Sequence, residues 1–232
     1  MSPADGELSP YTSRMPRGVA TFAVTLALLV AGCGEDEPEQ ESRADVPEQY
    51  ADLPESCPPP TDPGPHEYDA ELHDELMAMF ERDQSGRTGG PDEEGDETRT
   101  DRLTEILAEH GWPGFDLVGE DGEDAAWTIA QHSDLDPELQ ACALALLEIA
   151  VDEDQGSPGN LAYLSDRVAV AAGESQRYGT QVGCGANGKP KPATPLAEPD
   201  RIDELRTEAD LPPYDEYLAE MEQICAEPLP GG

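Results

Sequence analysis

The stretch Asp136–Val151, DPELQACALALLEIAV, decides the fold. It opens with an aspartate and a proline, which are preferred at the N-cap and at the first position of an α-helix. The 11 residues from Ala141 to Val151 then carry a single charge, on Glu148. Because a helix that is apolar on nearly every side is buried on nearly every side, this segment predicts the centre of a helical core.

Amphipathic segments on both sides of this centre predict the helices that surround it. Their apolar residues recur at spacings of three and four, the period of a helix. The predicted helices span about 68–82, 100–110, 136–151, 199–209 and 213–225, and two more begin near Glu123 and Asn160. Residues 83–98 are rich in glycine and acidic residues and are expected to form a loop. The stretches 176–182 and 191–196 are expected to pair as a β hairpin, with prolines confining the second strand to an edge. We therefore predict a mainly α fold over residues 68–225, a compact domain of six or seven helices with a minor β hairpin.

The N-terminal region is typical of an export signal. Gly18–Ala31 is an uncharged run of 14 residues, which is short for a membrane-spanning helix and has the length of a signal-peptide apolar region. Arg14 and Arg17 supply the positive charges that precede such a region. Translation could begin at Met1 or at Met15, since either start leaves a complete signal.

The residues that end the apolar run, Val30-Ala31-Gly32-Cys33, resemble the lipobox of bacterial lipoproteins. The resemblance implies that residues 1–32 are removed as a signal peptide and that the Cys33 thiol is acylated. Acyl chains at Cys33 would anchor the protein in the cell membrane, facing the extracytoplasmic side. The alternative is an ordinary secretory signal in which the cysteine is incidental.

Residues 33–67 are expected to form a tether between this anchor and the helical domain. The segment from Gly34 to Glu67 contains 11 acidic residues, one arginine and eight prolines. Such a composition buries too little apolar surface to offset its ordering entropy, so we expect a disordered acidic spacer. A recognition strip for a basic partner is the alternative. Residues 226–232 are expected to form a disordered tail.

The charge excludes one large class of function. The chain has 13 basic and 52 acidic side chains, a formal net charge of −39. Nucleic-acid binding needs a footprint of lysine and arginine, so no nucleic-acid partner is expected. The expected partners are the membrane, through the anchor at Cys33, and an envelope ligand or protein that the sequence does not identify.

The cysteines are consistent with export to an oxidising compartment. Apart from Cys33 they are Cys57, Cys142, Cys184 and Cys225, and four thiols allow three pairings among which the sequence does not choose. A Cys57–Cys225 bond would close most of the domain, and Cys142 could instead be a small buried hydrophobic residue. No two cysteines or histidines have the close spacing of a zinc knuckle, so neither a metal nor a cofactor is predicted.

Two stretches combine polar and apolar residues: WTIAQHSD at 127–134, and YLSDR at 163–167 leading to QRYGTQ at 176–181. They resemble the signature of an uncharacterised bacterial domain family of unknown function: Gln-His followed by an acid and a Gln, then Asp-Arg, then Gln-x-Tyr-Gly-Thr-Gln. The matching residues are Gln131, His132, Asp134 or Asp136, Gln140, Asp166, Arg167, Gln176, Tyr178, Gly179, Thr180 and Gln181. The resemblance covers roughly 70–222 and implies a domain boundary without a reaction.

The same residues form the candidate site. His132 could act as a general base oriented by Asp166 or Asp134, and Arg167 could hold an anionic group. The residues that would complete a binding pocket are Gln131, Tyr178, Thr180 and Gln181. The alternative is a satisfied polar network that only fixes the packing of the helices.

We therefore predict a membrane-anchored extracytoplasmic lipoprotein that serves as a binding or interaction module of the cell envelope. The alternative function is an envelope enzyme, such as a hydrolase, with His132 and Asp166 as candidate catalytic residues. The enzyme would need His132 within about 3 Å of a carboxylate and open to a cleft.

Overall fold

The computed structural model describes residues 46–226. Over this range the chain forms seven α-helices and one two-stranded antiparallel sheet, so the predicted fold class is confirmed. The helices are α1 (Ala70–Arg87), α2 (Gly95–His110), α3 (Phe115–His132), α4 (Pro137–Asp152), α5 (Pro158–Ala171), α6 (Ile202–Glu208) and α7 (Tyr214–Ala226). The strands are β1 (Val182–Cys184) and β2 (Pro190–Pro192). The predicted signal peptide, Cys33, the first part of the tether and residues 227–232 lie outside the described residues.

The core forms around two helices, α3 and α4. Four helices (α1, α2, α4 and α5) contact α3. Small buried residues let these neighbours approach it closely, namely Ala125, Ala126 and Ala130. The helix α4 begins as predicted, because the Asp136 side chain accepts a hydrogen bond from the backbone N–H of Leu139 at 2.9 Å. The predicted central segment therefore shares the centre of the core with α3.

Among the helices of residues 46–226, none has both the length and the apolar character that crossing a membrane requires.

Three helices extend well beyond their predicted limits, among them α2, which begins at Gly95 instead of near Thr100. The helix α1 continues to Arg87, because Asp83 and Arg87 form an ion pair one turn apart, with Oδ1 and Nη2 separated by 3.0 Å. The helix α3 starts at Phe115 instead of near Glu123, with an interruption at Gly119, where φ is 76°. Part of the predicted loop at 83–98 is thus packed helix.

The predicted hairpin is displaced along the chain. The strands pair with Val182 opposite Pro192 and Cys184 opposite Pro190, so the prediction of a strand at 176–182 was wrong for most of its length. The backbone N–H groups of residues 177, 178 and 180 bind a side chain instead of a neighbouring strand. The loop 176–181 therefore precedes β1.

Residues 46–67 pack onto the helical domain, which moves the start of the packed region ahead of the predicted boundary at Tyr68. The side chains of Tyr50 and Cys57 are 6% and 3% exposed to solvent, and both belong to the hydrophobic core. The acidic, proline-rich composition does not reveal these contacts, because the partners of Tyr50 and Cys57 lie on helices that are distant in sequence.

The four cysteines form the bonds Cys57–Cys142 and Cys184–Cys225. Neither the Cys57–Cys225 bond nor a free, buried Cys142 occurs, so both suggestions from the sequence were wrong. Cys142 lies on the face of α4 that receives the N-terminal segment, and Cys184 in β1 faces α7.

A buried carboxyl group, Glu123 on α3, lies inside the core with 0% exposure. The indole N–H of Trp112 and the side-chain amide of Asn160 donate hydrogen bonds to it at 3.0 and 2.8 Å. Burial nevertheless raises the pKa of Glu123 to about 7, because desolvation disfavours the charged form more than these donors stabilise it.

This raised pKa predicts a loss of stability with rising pH. The unfolded glutamate has a pKa of 4.5, so the contribution of Glu123 is fully present below pH 4.5 and is lost as the pH rises through about 7. The loss amounts to about 3 kcal/mol of the free energy of unfolding. Urea unfolding at several pH values should show a flatter profile for Glu123→Gln than for the wild type. Glu120→Gln, at an exposed acid of the same helix, is the control. A profile for Glu123→Gln parallel to that of the wild type would contradict the prediction.

Candidate functional site

A buried carboxylate, Asp166 on α5, organises the loop 176–181. The backbone N–H groups of Arg177, Tyr178 and Thr180 donate to its oxygens at 2.7–3.2 Å. The Thr180 hydroxyl adds a further hydrogen bond at 3.0 Å, and Asp166 has 0% exposure. Its hydrogen-bonding capacity is therefore directed at the loop.

Side chains from the last two helices hold the other face of this loop. The buried Arg206 of α6 donates to the carbonyl oxygen of Tyr178 at 2.8 Å. The hydroxyl of Tyr217 on α7 donates to the carbonyl oxygen of Thr180 at 2.7 Å. The guanidinium of Arg206 also lies 4.9 Å from the centre of the Tyr217 ring, a cation–π contact. The loop is thus fastened to both α5 and the C-terminal helices.

The loop also closes on itself. The Gln176 side chain accepts from the backbone N–H of Gln181 at 2.8 Å and donates to its carbonyl oxygen at 3.2 Å. Gly179 has φ of 65°, and a Cβ there would lie 2.7 Å from the Tyr214 ring. A glycine is therefore required at this position by both conformation and space.

The fastened loop forms one wall of a cavity of about 550 Å³, which lies against α5 and the end of α3. The polar residues that line it are Gln131, Asp134, Tyr163, Arg167, Thr180 and Gln181. This volume falls within the range of small-molecule pockets. We call it the Arg167 cavity.

Sequence and structure agree on part of this cavity. Four of the predicted binding residues line it together, namely Gln131, Arg167, Thr180 and Gln181. Tyr178 contributes its backbone to the loop and lies outside the cavity lining. Asp166 binds the backbone of the loop and is not part of the cavity lining, and His132 lines a neighbouring cavity.

The Gln131 amide is the unusual polar group of the Arg167 cavity. Gln131 is 6% exposed, and within residues 46–226 its Nε2 has no hydrogen-bond partner. By contrast, the Nε2 of the neighbouring buried Gln140 donates to the carbonyl oxygens of Ala130 and Gln131 at 3.1 and 3.3 Å. An unpaired buried donor costs about 1–3 kcal/mol. Gln131 thus adds a buried, unpaired amide to the wall of the cavity.

Arg167 and Asp134 place opposite charges side by side in the same cavity. Arg167 Nε donates to Asp134 Oδ1 at 2.9 Å, and its Nη1 donates to the Gln181 side chain at 3.3 Å. Burial acts to raise the pKa of Asp134, but the hydrogen bonds and charge of Arg167 outweigh it and hold that pKa below its usual range. Both side chains remain partly exposed, at 30% and 57%, so a ligand can reach the pair.

His132 pairs with Asp83 of α1, at 2.8 Å between Nδ1 and Oδ2. Arg87 Nε also lies 2.9 Å from this Nδ1 and can only donate, so the carboxylate favours a proton on Nδ1 and the guanidinium favours one on Nε2. Arg87 binds the same carboxylate, with its Nε 3.0 Å from Oδ1. Asp83 is 1% exposed, so α1 holds His132 through a buried carboxylate.

The His132 ring lines a second cavity, of about 310 Å³, together with Asp96, Thr100 and Ser133. Burial lowers the pKa of His132, the Asp83 charge opposes this effect and the Arg87 charge adds to it. The net effect favours the neutral imidazole. This arrangement meets the two geometric demands of a general base, a nearby carboxylate and access to a cleft.

The sequence missed Asp83 as the partner of His132. Asp134 pairs with Arg167 and Asp166 with the loop, so the prediction that one of them orients His132 was wrong. One signal was available, since Asp83 and Arg87 are four residues apart and extend the pattern of α1. This spacing was not used, because both residues were assigned to the predicted loop at 83–98.

A comparison with protein families matches residues 70–226 to the family of unknown function DUF6624. The matched range begins with the first residue of α1 and ends with the last residue of α7. It contains both the Arg167 cavity and the cavity beside His132. No curated protein and no solved structure matches the chain significantly. The chain therefore belongs to the family of unknown function DUF6624.

Proposed function

We propose that the protein is a membrane-anchored, extracytoplasmic lipoprotein and a binding module of the cell envelope. The lipobox-like residues before Cys33 support the anchor. The two disulfides support an oxidising compartment. The Arg167 cavity supports the binding role, because its size and its convergent polar groups are those of a small-molecule site.

The ligand that suits this cavity is a small zwitterion, such as an amino acid or a dipeptide. Within the described residues, Asp134 and Gln181 take three of the five N–H groups of Arg167, so two are left for a ligand carboxylate, and Asp134 beside it suits an ammonium group. The net charge of −39 disfavours polyanions. The observation that carries the proposal is the partly exposed Arg167–Asp134 pair in this cavity, next to the buried Gln131 amide, whose Nε2 has no partner among the described residues.

Calorimetric titration of the full chain with the dipeptide alanyl-alanine tests this proposal. The peptide is used free, N-acetylated and C-amidated, and each blocked form should bind more weakly because one charged contact is lost. Arg167→Ala should weaken binding of the free dipeptide about 10-fold or more, the effect of one charge-assisted hydrogen bond. It should also make binding insensitive to C-amidation, since the carboxylate has then lost its partner.

Two further variants separate binding from folding. Gln131→Leu should weaken binding and maintain or raise the free energy of unfolding, because it removes an unpaired buried donor. Arg201→Ala removes an exposed arginine that pairs with Glu198 and Glu204, and it should bind as the wild type does. Equal affinities of Arg167→Ala and the wild type, or no dipeptide binding at all, would rule out this proposal.

A second candidate function is an envelope hydrolase in which His132 acts as the general base. The contact between His132 Nδ1 and Asp83 at 2.8 Å favours it, because a proton on Nδ1 would leave Nε2 as the acceptor, whereas Arg87 Nε, 2.9 Å from the same Nδ1, opposes this tautomer. For this enzyme, His132→Gln should abolish turnover of ester or peptide probes and preserve their binding. A binding module should show no turnover in either protein.

A further inference from the structure

A group of three side chains at the other end of the domain has the chemistry of a metal site. Asp62, His66 and His110 each offer one ligand atom, and these atoms lie within 4.8 Å of one another. Two imidazole nitrogens with one carboxylate oxygen form a donor set that suits Zn²⁺. Neither their spacing along the chain nor their surroundings in sequence indicated this group, since 44 residues separate the two histidines.

The two histidines have buried nitrogens without partners. Within the described part of the chain, His66 Nε2 and His110 Nδ1 make no hydrogen bond. The rings meet edge to face, with 5.3 Å between their centres. Leaving two buried polar atoms unpaired costs free energy, which a bound cation would recover. The unpaired nitrogens therefore point to a ligand.

The backbone fastens the three side chains next to one another. The N–H groups of Thr61 and Asp62 donate to the carbonyl oxygens of Ala108 and Glu109, at 3.0 and 2.6 Å. His110 is the last residue of the same helix, α2. The loop that carries Asp62 and its neighbour His66 is thus attached to the helix end that carries the third side chain.

Little movement is needed to complete a metal site. Ligand atoms at about 2.0–2.1 Å from Zn²⁺ in tetrahedral geometry lie about 3.3 Å apart, so ligation shortens the present spacing by at most about 1.5 Å. Asp62 is the exposed member of the group, so its side chain has room to rotate toward the two imidazoles.

We propose that Asp62, His66 and His110 bind one Zn²⁺ ion. Three protein ligands leave a fourth position open, the pattern of zinc sites that carry a water molecule. The two histidines line a cavity of about 380 Å³ that also contains Trp112 and Glu153, so a small molecule could reach that position. The site lies apart from the Arg167 cavity, and two of its ligands precede the range 70–226 that the family match covers.

Competition with a chromophoric chelator measures the Zn²⁺ affinity of the full chain. A millimolar excess of Ca²⁺ occupies the exposed carboxylates, since hard cations prefer oxygen ligands and do not compete for imidazole. The wild type should bind one equivalent of Zn²⁺. His66→Gln and His110→Gln should each lower the affinity by about 100-fold or more, and Asp62→Asn by about 10-fold or more.

His73→Gln is the matched control, because His73 lies outside the group and contacts Asp74 and Asp121. It should keep the wild-type affinity and stoichiometry. In the wild type, Zn²⁺ should also shift the imidazole ¹⁵N resonances of His66 and His110 and leave those of His132 in place, a result that needs no variant. Unaltered affinity in His66→Gln and His110→Gln, or unshifted resonances of these two rings, would overturn the proposal.

Discussion

Replacing Asp166 by asparagine should lower the free energy of unfolding by about 4 kcal/mol. The carboxylate accepts hydrogen bonds from the backbone of Arg177, Tyr178 and Thr180, and its exposure is 0%. An asparagine has nearly the same shape, but its amide N–H₂ would face these N–H groups, so buried donors would lose their acceptor. The loop 176–181 should then detach from α5.

Urea unfolding of the full chain measures this change. Asp200→Asn, at an exposed aspartate, is the control and should change the free energy of unfolding by less than about 0.5 kcal/mol. Amide hydrogen exchange provides a test in the wild type, because the N–H groups of Arg177, Tyr178 and Thr180 should exchange as slowly as the core. Fast exchange at these three amides, or a wild-type midpoint for Asp166→Asn, would contradict this account.

Removing the Cys57–Cys142 disulfide by the double substitution Cys57→Ala and Cys142→Ala should cost about 4.5 kcal/mol. The bond closes a loop with a sequence separation of 85, and the chain-entropy relation gives this value for the constraint on the unfolded chain. The same relation gives about 4 kcal/mol for Cys184–Cys225, with its separation of 41. Urea unfolding of the two double variants should therefore give similar losses.

The two disulfide variants should differ in a second measurement. Cys57–Cys142 attaches the segment that leads to Asp62 and His66, so its removal should weaken Zn²⁺ binding about 10-fold or more. Cys184–Cys225 joins β1 to α7, and its removal should leave the Zn²⁺ affinity unaltered. Equal Zn²⁺ affinities in both double variants would show that this disulfide does not position the metal ligands.

Part of the candidate site follows directly from local sequence. Tyr163 and Arg167 lie four residues apart on α5, which places them on one face of the helix, and both line the Arg167 cavity. The prediction of a strand at 176–182, by contrast, was wrong for most of its length. Its residues favour β structure, but the Asp166 carboxylate binds the N–H groups that a ladder would need.

The sequence by itself determined which segments become helices, because hydrophobic periodicity and capping residues such as Asp136 act over a few neighbouring positions. Only the tertiary structure decided the disulfide pairing, the Asp83–His132 contact and the meeting of His66 with His110. These contacts join residues that are 41 to 85 positions apart. Which of these residues meet depends on how whole helices pack, and local sequence patterns do not predict that packing.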